Sequence, residues 1–407
     1  MKIAILTLGT RGDVQPYAVL GQALKLRGHR VTLATAKNFE TLVLSYGIEF
    51  VAIEADFQAI LDSEEGKKMM KGNPFVIKRN LNKWIYPLIK NSLCEFYSLA
   101  KKSDKVIYHV KTLADSFADQ FPEKMIRASV IPFVESTNEF ANPTFSALPI
   151  PKFLNKLSYK LANLSTKFLS KPIGDFRSNV GLTKKFKLPE IKNIYGLSSF
   201  FISKPKDYSS HSKFTGFWFG NSDDELQEDL SDFLKKGEPP LLLTFGSMPF
   251  QSKFDLQNAI VELIEKLDTR IIIIKGWGLQ ETEKLENNQA IKVISSAPYE
   301  KLFPFVKAII HHGGIGTTAE CLRAGKPFFI CPILHPIGDQ QFWGQHAFKK
   351  GLAVEPVPIK KMTKQLFFDR IQELLTNEQL YKNAEKIREQ LKQENGLQNA
   401  VEEIEKN

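Results

Sequence analysis

The sequence predicts an α/β chain with two parallel-sheet domains. Short β-rich runs alternate with helical patterns through the first half, the same alternation restarts at Pro240, and glycine-rich turns close strands in both series. A chain of 407 residues, 43% of them hydrophobic, also exceeds what one core usually serves. The expected divisions are 1–215 for a first domain, 216–239 for a linker, 240–385 for a second domain and 386–407 for a closing helix able to cross back to the first.

In order, the first series reads as strand 2–8, helix from Asp13 to Arg27, strand 30–35, helix 37–46 and strand 48–53. Asp13 is the expected N-cap, Pro16 lies in the first turn, and Gly28 stands where a left-handed residue closes a helix. Helical patterns follow over 75–102 and 112–121, with strands at 106–109 and 126–131. Residues 138–151, rich in Pro, Asn, Ser and Phe, read as a long functional loop. The junction at 216–239 is turn-rich and encloses a short acidic helix. Beyond it come strand 241–245, helix 255–267, strands 270–274, 291–294 and 306–310, helix 316–324, strand 327–331 and a charged helical tail from Thr363.

No apolar run approaches the ~20 residues of a membrane helix, and the opening Met1-Lys2 leads straight into a β-rich segment without a signal-peptide core. Cys94, Cys321 and Cys331 are odd in number and lack C-x-x-C spacing, so neither a disulfide framework nor a zinc site is supported. The cytoplasm is therefore the expected compartment. The net charge of +10 is concentrated: between Lys152 and Lys187 nine basic residues face the single acid Asp175. Nucleic acid is not an expected partner of so local an excess. In the same stretch Phe153, Leu154, Leu157, Leu161, Leu164, Phe168 and Leu169 recur at helical spacing. Packing of that face on the first domain is the expectation; peripheral contact of 152–187 with an anionic membrane is the alternative.

The strongest chemical signal runs from His311 to Glu320, H-H-G-G-I-G-T-T-A-E, between an apolar strand and a helix. A glycine-rich turn there aims free N–H groups and the positive end of a helix at an anion, and Thr317 and Thr318 add hydroxyls. Adjacent histidines diverge at a strand end and no further ligand completes a set, so no metal is expected. The bland reading is a turn whose glycines only allow tight packing. A second motif, P-I-G-D-Q-Q-F-W-G over residues 336–344, follows the next strand, at the sheet edge where open α/β sheets bind ligands. Its Asp339 and Gln340 suit vicinal hydroxyls, although Asp339 is equally a helix N-cap. In the first domain the matching turn, G-T-R-G-D-V-Q-P over 9–16, lacks the dinucleotide fingerprint. Arg11-Gly12-Asp13 as an adhesion tripeptide does not suit a cytoplasmic chain.

Taken together these motifs resemble the GT-B glycosyltransferases of family 1, and within them the sterol glucosyltransferase-like branch, over nearly the whole chain. That branch's G-[ST]-x-G-D-V-Q-P turn stands at 9–16, its P-x-x-x-x-F-G-S-M strand at 240–248, its H-H-G-G-x-G-T-T turn at 311–318 and its G-D-Q-x-F-W at 338–343. Ile107-Tyr108-His109 and residues 132–143 match acceptor-side stretches more weakly, with Val110 and Glu135 departing from the pattern. The resemblance implies two Rossmann-like domains facing each other across a cleft, the first taking an acceptor and the second a nucleotide sugar. It implies Asp13 as general base. It also implies Ser247, His312, Gly314, Gly316, Thr317 and Thr318 around the diphosphate, Glu320 at the ribose, and Asp339 and Gln340 at the hexose. No cofactor or metal is required: a UDP-sugar, with glucose the expected hexose, is the co-substrate, and a small lipophilic hydroxyl compound is the acceptor.

Asp13 would take the acceptor proton as that oxygen attacks C1 and UDP leaves, inverting the sugar's configuration. Two other readings compete. One keeps the fold for another nucleotide-sugar reaction, such as lipid-linked cell-wall precursor glycosylation or sugar-nucleotide epimerisation, and leaves the G-D-V-Q-P turn unused. The other is a catalytically silent homologue, which an intact Asp13 argues against.

Overall fold

The computed structural model describes residues 1–53, 85–246, 254–276, 282, 285, 286 and 288–406. The chain forms two compact units: Met1–Thr137 with Tyr159–Gly220 and Asn395–Asn407, and Asn138–Ser158 with Asn221–Glu394. The segment 138–158 thus groups with the second unit, although it precedes the junction read from the sequence.

The first unit is built on a seven-stranded parallel sheet of β1 (Lys2–Leu6), β2 (Arg30–Ala36), β3 (Glu49–Ile53), β4 (Lys105–His109), β5 (Met125–Ser129), β6 (Lys192–Tyr195) and β7 (Ser212–Phe214), in the order β3-β2-β1-β4-β5-β6-β7. Strands covered on both faces read as continuous apolar runs, as Ile3 to Leu6 do, all buried. β6 and β7 were not expected. With four and three residues carrying Lys, Asn and Ser, they are too short and too polar for a β pattern to register.

Between β1 and β2, α1 spans Arg11–Leu26, two residues ahead of the expected start. Its N-cap is Thr10, not Asp13. Asp13 sits at the third helical position, where its carboxylate accepts from the Thr10 amide as one arm of a capping box. The helix expected over 112–121 is instead two 3-10 turns, Val110–Thr112 and Ala114–Gln120. Leu113 between them has φ +58°, and the Thr112 hydroxyl bonds back to His109 O, so a continuous α-helix cannot form. Under the sheet, Leu6, Phe96, Tyr108, Phe117 and Phe176 share one core.

The second unit holds five parallel strands, β8 (Leu241–Thr244), β9 (Ile271–Ile274), β10 (Ile291–Ile294), β11 (Ile309–His311) and β12 (Phe328–Ile330), in the order β10-β9-β8-β11-β12. Their side chains meet helices Leu256–Leu267 and Lys364–Thr376 in a core that includes Leu243, Ile260, Ile273, Ile310, Phe329 and Phe367. Helix α2 (Ile315–Ala324) follows β11 and α3 (Gln340–Lys349) follows β12.

Both sheets have a topological switch point. In the first unit the chain winds outward from β1 through β2 and β3, then restarts on β1's other side at β4; in the second, β8 and β11 are the corresponding neighbours. The crevice at the carboxyl ends of such strand pairs is where open α/β sheets place ligands.

Candidate active site

At the β1/β4 switch point the turn after β1 carries Asp13. Gly9 in that turn has φ +138°, and a Cβ on it would lie 2.2 Å from Asp13 Oδ2, so only glycine lets the carboxylate fold back against the backbone. Asp13 Oδ2 accepts from the Thr10 amide at 2.8 Å and the Thr10 hydroxyl at 3.1 Å, and Oδ1 accepts from Lys111 Nζ at 2.7 Å. Burial pushes this carboxyl up, but the Lys111 ammonium and the hydrogen bonds outweigh it and hold the group below the usual aspartate range.

From β4 comes His109, fully buried, with Nε2 4.0 Å from Asp13 Oδ1. Its Nδ1 accepts from the Lys111 amide at 3.4 Å, which places the ring proton on Nε2, facing the carboxylate. Nε2 has no hydrogen-bond partner among the described residues, and burial lowers the ring's pKa to about 4, so the ring is neutral with its N–H facing the carboxylate. Sequence reasoning missed Thr10 and Lys111 and gave His109 no role. The signal was present in Tyr108-His109-Val110-Lys111 at the end of a strand, but only the β1–β4 pairing, Leu6 beside Tyr108, brings it to Asp13.

At the β8/β11 switch point the histidine turn closes on the start of α2. Gly314 is the N-cap, and the first amide to bond within the helix is that of Thr318, to Gly314 O at 3.0 Å. The amides of Ile315, Gly316 and Thr317 therefore precede the first intrahelical bond, as an anion site needs. A Cβ on Gly316 would meet nothing within 4 Å, so the mouth is open there. His312 is half-buried behind it: a Cβ on Gly314 would lie 2.6 Å from its Nε2, and one on Gly246 after β8 would lie 3.3 Å from its Cε1. Burial lowers His312 to about 4, and its Nδ1 lacks a partner among the described residues.

Thr318 is buried, and its hydroxyl donates to Gly314 O at 3.0 Å, a bond within the helix rather than at the mouth. Glu320, two residues further along α2, has 18% of its side chain exposed and stands 3.6 Å from Arg323. Burial raises its carboxyl to about 7, against the pull of Arg323, and Oε2 is unpaired among the described residues. Ser247 lies outside the described residues.

The second motif is held tightly. Gln340 Oε1 accepts from the amides of Ile333 and Leu334 at 2.7 and 2.8 Å, and Asp339 Oδ2 accepts from the buried Trp343 indole at 2.9 Å. Residues 138–158 pack onto this turn: Gly338 donates to Thr144 O at 2.9 Å, and the Phe140 and Phe342 rings lie 5.3 Å apart. Glu135, where the sequence departs from the branch pattern, is fastened instead to Tyr195 and the Ser209 amide within the first unit. Among the described residues no cluster of three or more His, Cys, Asp or Glu side chains forms a metal site.

Models of the glycosyltransferase family 28 N-terminal and C-terminal domains match residues 3–108 and 241–404. The glycotransferase of kitacinnamycin superposes with a TM-score of 0.71 at 17% identity, over 99% of this chain and 98% of that one. With both halves matched and the two-sheet architecture in place, the chain belongs to the GT-B glycosyltransferases. Among its relatives, a sterol 3-beta-glucosyltransferase of Arabidopsis thaliana is 30% identical over 98% of this chain and 64% of its own length. The O-mycaminosyltylonolide 6-deoxyallosyltransferase of Streptomyces fradiae is 27% identical over 98% of this chain and 96% of its own. The chain spans less than two thirds of the plant and fungal sterol glucosyltransferases it matches, from 64% down to 26%.

Proposed function

We propose that the protein is an inverting glycosyltransferase that moves a hexose, glucose first among them, from a UDP-sugar to a hydroxyl of a small lipophilic acceptor. The observation that carries this reading is the buried Asp13 carboxylate at a sheet switch point, ionised by Lys111 and faced by the N–H of a neutral His109. Such a group suits proton removal from an alcohol late in the transition state, as a base of low pKa must. The opening of α2 supports the donor half: free amides, the helix dipole and His312 meet the charge that grows on a departing diphosphate. Lys111, whose side chain is 49% exposed, can turn aside as an acceptor hydroxyl takes its place on Oδ1. The glucosyl and sterol-like parts rest on the named relatives, one a sterol glucosyltransferase and one a deoxyallosyltransferase acting on a tylonolide.

The experiment is release of UDP or dTDP from their glucose and deoxyhexose conjugates across a panel of sterols, macrolide aglycones and simple lipophilic alcohols. Acceptor-dependent release from UDP-glucose is the expected result. Release from a dTDP-sugar alone would overturn the donor, and none from any pair would favour a silent homologue.

A further inference from the structure

The run from Lys152 to Asn179 is helical almost throughout: a 3-10 turn Lys152–Leu154, a helix Asn155–Leu164, a 3-10 turn Ser165–Leu169 and a helix Ser170–Asn179. Packing of its apolar face on the first domain was the expectation, and the structure meets it only at the ends: Leu169 packs against the first unit's core and Leu154 is half-buried, while the other five are exposed. The helix Asn155–Leu164 is buried along Asn155, Ser158 and Tyr159, a face whose three side chains all carry polar atoms. That face is fixed by bonds from Asn155 Nδ2 to Asn138 O at 2.8 Å and from the Asn142 amide to Ser158 Oγ at 2.7 Å. The leucines point the other way. Phe153 is 84% exposed, Leu157 46%, Leu161 51%, Leu164 46% and Phe168 69%. Their spacing of four, four, three and four residues keeps them on one stripe of a helix.

Scattered exposed apolar residues are ordinary; five in register are not. Lys152, Lys156, Lys160 and Lys167 each precede a member of the stripe and are themselves exposed, so cations line one flank of it from end to end. An apolar stripe bordered by lysines is the surface an interfacial helix lays on a bilayer, leucine and phenylalanine among the acyl chains and ammonium groups at the headgroups. Another protein surface would need acids matched to this row, whereas anionic lipid supplies them in any orientation. We propose that residues 152–169 form a membrane-docking surface for anionic lipid bilayers. It would bring the protein to the phase in which lipophilic acceptors dissolve, yet the docking does not depend on the transfer reaction.

The test is co-sedimentation of the whole protein with phosphatidylcholine vesicles, with and without phosphatidylglycerol, at low and high salt, and without any sugar donor. Binding is expected to anionic vesicles at low salt and to be strongly weakened by salt. Lys156, Lys160 and Lys167 changed together to Gln should lower the partition coefficient about a hundredfold, near fivefold for each lysine. Leu157, Leu161 and Leu164 changed to Ser should abolish binding while leaving the melting temperature unchanged or raised, since these side chains are exposed. Absence of binding to anionic vesicles at low salt, or binding untouched by either triple variant, would overturn the proposal. So would a lipid-free dimer that the serine variant dissociates, because the stripe would then belong to a second copy. Loss of transfer with vesicle binding intact would fail the proposed function and leave this one standing.

Discussion

Replacing Asp13 with Asn removes a base and a helix lock in one step, and the structure lets the two costs be separated. The aspartate accepts on both oxygens, from Thr10 twice and from Lys111 once. An asparagine has one acceptor oxygen. Turned toward Thr10, it sets its NH2 against the Lys111 ammonium; turned toward Lys111, it sets NH2 against the Thr10 amide. One arm is lost either way. Loss of the cap arm costs about 0.5–2 kcal/mol; the half-exposed Lys111 adds less than a buried ion pair would. Melting should therefore fall by a few degrees, ~2–4 °C per kcal/mol for a unit of this size. Catalysis should fall far more, by roughly 10²–10⁴ in kcat with an alcohol acceptor, because general-base help disappears. UDP affinity, measured by calorimetry on the same sample, should stay near wild type. The assay is UDP release well below both melting temperatures. Retention of more than a tenth of the turnover would remove Asp13 from the role of base, and an unchanged melting temperature would refute the capping argument.

Lys111→Met should shift the acidic limb of the kcat/KM profile to higher pH, since the ammonium that favours the Asp13 carboxylate is gone; an unmoved limb would show that Lys111 does not set the base. A depressed carboxyl stabilises the fold above its unfolded pKa of about 3.9 and loses that support as pH falls through the folded value, so the variant's melting should also be less acid-sensitive. His312→Ala should weaken UDP about 10–100-fold, the worth of a hydrogen bond to a charged group. Because burial keeps the ring neutral, that loss should be constant between about pH 6 and 8, and a loss confined to the acid side would mean a charged imidazolium. Glu320→Gln should raise the melting temperature at pH 8 but not near pH 4. A carboxyl raised to about 7 penalises the folded state once pH exceeds its ordinary value, by up to about 3 kcal/mol when fully ionised. A melting shift equal at the two pH values would refute that burial.

What could be read from the sequence was what local pattern encodes. The apolar runs of β1, β8 and β9 and the glycine punctuation of Gly28 and of residues 313–314 were visible because each is decided within a few residues. The Thr10 cap was misplaced by three positions because Asp13 suits both the cap and the third helical position, and only the Gly9 turn decides between them. Lys111 could not be found without knowing that β4 pairs with β1. The apolar stripe was legible as a helix but not in direction: periodicity gives the face and not which side is buried, and here Asn155, Ser158 and Tyr159 took the inside. Thr318 looked like a phosphate donor, but its hydroxyl serves its own helix.

The grouping of residues 138–158 with 221–394 bears on anyone who would splice this chain to a relative. A chimera joined at the turn-rich stretch 216–239 separates Thr144 from Gly338 and Phe140 from Phe342, so the recombined turn ahead of α3 meets a foreign segment. Carrying 138–158 across together with 221–394 preserves those contacts, at the expense of three further junctions. Modularity here follows spatial neighbourhood and not chain order.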